Sequence, residues 1–130
     1  MSETEDMISP KEILMAKKCE YSYKFSIRTG YIIVRPTKIT FYYDALKGTK
    51  SHLSLLTFNL KKHELVKVEW QIDLLEEIQK RRFLYRWNGL ELFFYDGYSA
   101  LFSFPGGTND SHEFSDLVYH LRSNIKFARQ

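Results

Sequence analysis

Leu74-Leu75-Glu76-Glu77-Ile78-Gln79-Lys80-Arg81-Arg82-Phe83-Leu84-Tyr85 is the stretch on which the fold turns. Ile72, Leu75 and Ile78 recur at helical spacing among good helix formers, so propensity alone favours a helix. Phe83 and Tyr85 lead directly into a turn and another apolar run, which favours extended chain. As a strand, the stretch carries a conflict of parity, because Ile78 falls on the opposite face from Phe83 and Tyr85. One face stays continuous only if a bulge or bend lies near Gln79 or Lys80, and a strand with that irregularity is the expectation.

Downstream, Trp87-Asn88-Gly89-Leu90 carries Asn-Gly, the two-residue hairpin signal, and Leu90, Leu92 and Phe94 then share a face. Asp96-Gly97 repeats the turn chemistry, residues 99–104 return as a further strand, and Pro105-Gly106-Gly107 ends it. From Thr108 the period changes. Phe114, Leu117, Val118, Leu121 and Ile125 stand at i, i+3, i+4, i+7 and i+11, one stripe of a helix expected over residues 108–124. Asp110 with Glu113 resembles a capping box, and His120 and Arg122 sit where the C-terminal dipole favours cations.

Upstream, residues 13–23 and 25–34 read as strands, the second passing through Thr29-Gly30, where glycine suggests a bulge or bend. Arg35-Pro36-Thr37 turns the chain into residues 38–43, where Ile39, Phe41 and Tyr43 alternate with Lys38, Thr40 and Tyr42. Residues 44–62 are mixed, but Leu53, Leu55, Leu56, Phe58 and Leu60 are too apolar for a solvated linker, so part of the segment is expected to pack or pair. Residues 67–71 alternate again, with Val68 and Trp70 on one face. The sum is a mainly β chain of about seven antiparallel strands followed by one C-terminal helix. A single helix with one apolar stripe must bury it against sheet. The pleckstrin-homology (PH) superfold has this layout: a β-sandwich or partly open barrel, two antiparallel sheets closed at one end by the helix.

The 130 residues fit one domain, and 19 Lys plus Arg against 16 Asp plus Glu leave only +3, too little for a strong field. Ten Phe, nine Tyr and two Trp mark a chain that folds. Cys19 is the only cysteine, so no internal disulfide and no cysteine-based zinc cluster can form, which suits a reducing compartment. Residues 1–10 are acidic and polar, unlike a secretory signal, and read as a disordered leader. No apolar run approaches the ~20 residues of a membrane-crossing helix. The expected location is cytoplasmic, at most peripheral to endomembranes.

Several blocks resemble the PH-like module that precedes the BEACH domain in scaffolds of the neurobeachin and Chediak–Higashi type. Ile78-Gln79-Lys80-Arg81-Arg82-Phe83-Leu84 is similar to that family's run of Ile or Val, two residues, Arg-Arg-aromatic-Leu. Gly89-Leu90-Glu91-Leu92-Phe93-Phe94 and Ser99-Ala100-Leu101-Phe102-Ser103-Phe104-Pro105 resemble its next two strands. Cys19-Glu20, Gly30-Tyr31-Ile32-Ile33-Val34 and Ile39-Thr40-Phe41 are similar to its opening hairpins. The resemblance runs in order from about Cys19 to Leu121 and implies a PH-like domain over residues 11–126, with residues 127–130 a tail leading toward a BEACH domain. It implies a non-catalytic interaction module that docks on the BEACH domain of the same polypeptide. The setting it implies is recruitment of trafficking proteins in membrane traffic, vesicle fusion or autophagy.

Arg81 and Arg82 match the family's paired arginines, and Arg86 and Trp87 stand beside them. Arginine next to aromatics suits a partner's carboxylates or an interface hot spot. The same run also fits a charged strand edge that stays solvated and blocks pairing. The alternative function is a peripheral PH domain binding phosphoinositide or other anionic lipid through Lys24 and Arg28. The run Lys24-Phe25-Ser26-Ile27-Arg28-Thr29-Gly30 offers one lysine and one arginine, without the second arginine such sites usually carry.

His52, His63, His112 and His120 form no His-x-x-x-His pair, which speaks against a metal site. Asp73, Glu76 and Glu77 read as solvated charge, since neighbours on a strand point to opposite faces. No phosphate-binding loop, nucleophile elbow or dinucleotide fingerprint is present, so no enzyme chemistry, cofactor or metal is implied. Nothing resembles an RNP signature, and nucleic acid is not expected as a partner.

Overall fold

Alternating apolar and polar residues make the strands, and the turns fall where glycine or short polar residues interrupt them. The computed structural model describes residues 12–24, 26–45, 65–83 and 86–129. In chain order these form β1 (Met15–Tyr23), β2 (Ser26–Val34), β3 (Lys38–Asp44), β4 (Leu65–Gln71), a single 3-10 turn (Ile72–Leu74), β5 (Leu75–Phe83), β6 (Arg86–Phe94), β7 (Ser99–Ser103) and α1 (Thr108–Arg129). The strand order is β4-β3-β2-β1-β7-β6-β5, every pair antiparallel.

The fold is the mainly β, helix-closed PH-like architecture, but the two expected sheets are hydrogen-bonded into one. β1 pairs with β2 over its full length and with β7 only at Glu20–Ser22 against Leu101–Ser103. β4 and β5 are the edges of the open sheet.

Leu75–Phe83 is a strand, as the aromatic end of the stretch suggests, and the irregularity is displaced from the expected position. Gln79 and Lys80 pair regularly with Glu91 and Leu90. The register shifts instead between Leu75 and Glu77, and again between Arg81 and Phe83. The first shift inserts Glu76 as an extra residue, which lets both Leu75 and Ile78 point into the core. Asn88-Gly89 is not the hairpin turn. β5 ends at Phe83 and β6 begins at Arg86, so both residues lie within β6 at the second irregularity. Asn88 is buried, its Nδ2 donating to the Phe104 carbonyl at 3.2 Å while the Phe104 amide donates to the Asn88 carbonyl at 3.0 Å. A Cβ on Gly89 would lie 3.0 Å from the Arg81 carbonyl, so glycine here serves close strand approach.

Gly30 likewise marks no bulge, since the register runs unbroken through Cys19↔Gly30 and Gly30↔Tyr43. A Cβ there would run into the Tyr42 carbonyl. Asp96-Gly97 is the turn expected, with Gly97 at φ 91° and its amide bonded to the Phe94 carbonyl. Strand β3 departs from simple alternation. Ile39 and Phe41 face the main core, yet Thr40 and Tyr42 on the other face are buried as well. The expected packing of residues 44–62 falls, beyond Ala45, outside the described residues, as does the expected leader at 1–10.

The core gathers Cys19, Ile32, Phe41, Ile72, Leu92 and Phe102 from the strands and seats the helix on them through Phe114 and Val118, which have no exposed surface. Phe114 meets Phe104 with ring centroids 5.5 Å apart. Leu117 and Leu121 complete the stripe as half-buried contacts, while Ile125 lies beyond the described side chains. The helix continues to Arg129, past the expected end, because Lys126, Ala128 and Arg129 are good helix formers with no breaker among them. His120 and Arg122 are therefore not in its last turn.

Asp110 and Glu113 do not form a capping box, because Asp110 lies within the first turn rather than before it. Instead Lys17 of β1 reaches both, at 3.3 Å to Asp110 and 2.6 Å to Glu113. The Glu113 carboxylate, more than burial acts against it, raises the Lys17 ammonium above its ordinary value. On the other side, the Tyr119 hydroxyl donates to the Ile78 carbonyl of edge strand β5 at 3.2 Å.

Truncating Phe114 to Ala removes a fully buried ring from the helix–sheet contact, and urea unfolding is expected to show a loss of about 3–5 kcal/mol. Burial also pushes the Cys19 thiol far above the usual thiol range, with the Glu20 charge adding to the shift. The unfolded chain loses that proton near pH ~8.5 while the folded chain keeps it, so stability is complete below that pH and falls above it. Between pH ~8.5 and ~9.5 the unfolding free energy should decline in the native chain and stay flat in Cys19→Ala, and parallel curves would contradict the assignment.

Candidate functional site

The register shift at the end of β5 decides how the basic run is displayed. Where β5 advances two residues, from Arg81 to Phe83, β6 steps back three, from Gly89 to Arg86, so the additional residue falls in Trp87-Asn88. Bulges re-aim side chains. Here Asn88 turns inward and Trp87 outward, 53% exposed, with the Arg82 guanidinium 5.5 Å from its ring centroid. That is a solvent-facing cation–π pair.

Arg81 is held differently. Its Nε donates to Glu91 Oε1 at 2.8 Å across the β5–β6 ladder, with 42% of the arginine side chain still exposed. Arg81 and Arg82 both border a small cavity of about 160 Å³ whose far wall is Ser22, Leu101 and Ser103. The structure therefore brings three of the four residues expected at a partner interface, Arg81, Arg82 and Trp87, to one patch. The Arg86 backbone belongs to β6, and its side chain lies outside the described residues.

The residues of the alternative lipid site lie at the β1–β2 hairpin. Lys24 occupies its turn at φ 55°, with the ammonium 5.3 Å from the Tyr23 ring centroid. Arg28 has the parity of Gly30, Ile32 and Val34 but stays exposed near the hairpin end, its guanidinium 5.4 Å from the Tyr43 ring centroid. Each cation rests on its own ring.

Arg28 borders a second, larger cavity that the sequence reading did not single out. It measures about 670 Å³ and is walled by Tyr21, Tyr23, Tyr43, Trp70, Phe94 and Tyr98, with Glu69, Asp96 and Ser99 among its polar members. Alternation marks most of these aromatics as core, which concealed the site. The available signals were an arginine with the parity of the core-facing residues of β2 and an aromatic residue, Tyr98, directly after a tight turn.

His112 and His120 are exposed on α1, and among the described residues no three His, Cys, Asp or Glu side chains gather as a metal site would require. Glu77 accepts a hydrogen bond from Gln79 at 3.0 Å on an exposed face, and Glu76 is the extra residue of the first bulge. Among the described residues no helix is long and apolar enough to cross a membrane.

A family profile described as a PH domain associated with Beige/BEACH matches residues 19–118. The chain belongs to this family. No curated protein is a significant match. Among solved structures, this BEACH-associated PH domain is similar to the C-terminal domain of an unknown protein from Leishmania infantum, at 12% identity and TM-score 0.60, with 91% of each chain covered. It is similar to the Slm1 PH domain in complex with phosphoserine, at 16% identity and TM-score 0.61 over 88% of this chain and 99% of the other. It also resembles the linker-DH/PH fragment of p115-RhoGEF, at 6% identity and TM-score 0.61, covering 90% of this chain and 30% of that one. At such identities the likeness is one of fold. Domains of this PH-like family are in general non-catalytic.

The half-exposed Arg81–Glu91 pair is screened by solvent and is expected to contribute little to the PH-like domain's stability. A double-mutant cycle with Arg81→Ala and Glu91→Ala should give a coupling of about 0.2–1 kcal/mol that shrinks in high salt, and a value of several kcal/mol would contradict that account.

Proposed function

We propose that this domain is a non-catalytic docking module that rests on a BEACH domain of the same polypeptide through the patch formed by Arg81, Arg82, Arg86 and Trp87. The observation that carries the reading is the outward Arg82–Trp87 pair at the second irregularity of the β5–β6 hairpin. An exposed tryptophan with an arginine over its ring combines two residue types enriched at interface hot spots. Arg81 retains exposed surface beside its bond to Glu91, so further donors of its guanidinium face outward for a partner carboxylate. Membership of a family defined by association with BEACH supplies the partner.

Docked in this way, the domain would form part of a composite surface that recruits proteins of membrane trafficking or autophagy. That setting rests on the family alone. The lipid-binding alternative draws less support, because Lys24 and Arg28 lie over separate rings, Tyr23 and Tyr43, and only Arg28 borders the larger cavity.

Charge reversal at Arg82 or truncation of Trp87 should weaken binding to the separately made BEACH domain by roughly 30-fold or more, as expected of a hot-spot pair. Calorimetric titration measures it directly, with Lys67→Glu on β4 as the comparison expected to bind normally. Affinity unchanged in both Arg82→Glu and Trp87→Ala would remove the docking assignment.

A further inference from the structure

The 670 Å³ cavity has no role in docking through Arg82 and Trp87, yet it has the character of a built site. Its volume falls within the ~300–1,000 Å³ of cavities that enclose small organic molecules, and barrel mouths are among the usual places for them. Its walls present flat aromatic faces. Trp70 stacks parallel to Phe94 at 6.4 Å and takes the edge of Tyr21 at 5.4 Å.

The charges in the wall differ in how far they are already satisfied. Glu69 lies 3.6 Å from the Lys38 ammonium and 4.0 Å from that of Lys67, and accepts the Thr40 hydroxyl at 3.5 Å. Asp96 accepts the Tyr98 amide at 3.2 Å, which closes its own turn. Arg28 alone among these groups meets only a ring: its guanidinium lies 5.4 Å from the Tyr43 centroid, and no carboxylate among the described residues pairs with it. A guanidinium that meets only an aromatic ring keeps N–H donors available to an acceptor.

We propose that this cavity binds a small amphipathic anion, with a planar aromatic or branched apolar body carrying one carboxylate or sulfonate. The body lies between the rings of Trp70, Tyr23 and Tyr98, and the charged group is held by Arg28. A polyanion is disfavoured because Arg28 is the only basic residue among the described residues lining the cavity. A cation is disfavoured because Arg28 repels it and both carboxylates are already engaged.

The test uses three ligands of one shape, 2-naphthoate, 2-naphthalenemethanol and 2-naphthylmethylammonium, titrated into the intact chain by calorimetry or by chemical shifts of the Trp70 indole. Naphthoate should bind about tenfold or more tightly than the alcohol, and the ammonium most weakly. Arg28→Gln should abolish the preference for naphthoate while leaving the alcohol's affinity in place. Ser99→Phe, which introduces a ring at the rim, should abolish binding of both, with circular dichroism showing an intact fold. The proposal is overturned by equal affinity for naphthoate and alcohol, by tightest binding of the ammonium, or by no binding at about 1 mM ligand. An inositol polyphosphate binding more tightly than naphthoate would overturn it too.

Discussion

Three residue pairs, Glu20–Ser22 against Leu101–Ser103, hold the two halves of the molecule in one sheet. Among the described residues every other strand pairing joins neighbours in sequence, so this seam is the ladder there that brings the first strand to the last. The hydroxyl of Ser103 reinforces it by donating to Glu20 at 3.2 Å, and Tyr21 stacks on Phe102 at 5.2 Å directly beneath. With the seam in place the sheet curls, its two edges β4 and β5 are left apart, and the interior needs a plug. The apolar stripe of α1 supplies it, with Lys17 and Tyr119 bonding the helix to strands from opposite halves. Both candidate surfaces inherit their shape from this arrangement. The basic patch lies on the half beyond the seam, and the aromatic cavity draws its walls from both halves.

What was legible in the sequence was whatever depends on period. Alternation located most of the strands, the change to helical spacing located α1, and Asp96-Gly97 located a turn whose glycine takes a positive φ. What was not legible depends on partners distant in sequence. Asn88-Gly89 has the local chemistry of a hairpin turn, but the Phe104 backbone captures the asparagine and the crowding of Arg81 calls for the glycine, so the pair serves inside a strand. Asp110 and Glu113 have the spacing of a capping box, yet a lysine 93 positions from Asp110 claims both carboxylates. β5 does carry irregularity, but at Glu76 and at its far end rather than near Gln79 or Lys80, because register is settled jointly by two strands.

The patch expected from the family motif and the cavity differ in how the sequence exposes them. Arg81, Arg82 and Trp87 are adjacent or nearly so, and a basic run beside a tryptophan is conspicuous in any linear reading. The cavity is assembled from six strands and two turns, each contributing one to four residues, and its aromatics look like ordinary interior residues. A void among such residues depends on how far apart the strands stand at the open end of the curl, a quantity with no trace in hydrophobic alternation.

The lone sulfhydryl of this protein has a structural corollary. Cys19 lies at the centre of β1 with no surface in contact with solvent, and the chain contains no second cysteine. Two intact copies therefore have no means of becoming covalently linked through sulfur. Any cross-linked pair that accumulates in an oxidising preparation records that both barrels had come apart beforehand, which makes such pairs a chemical clock for opening of the interior.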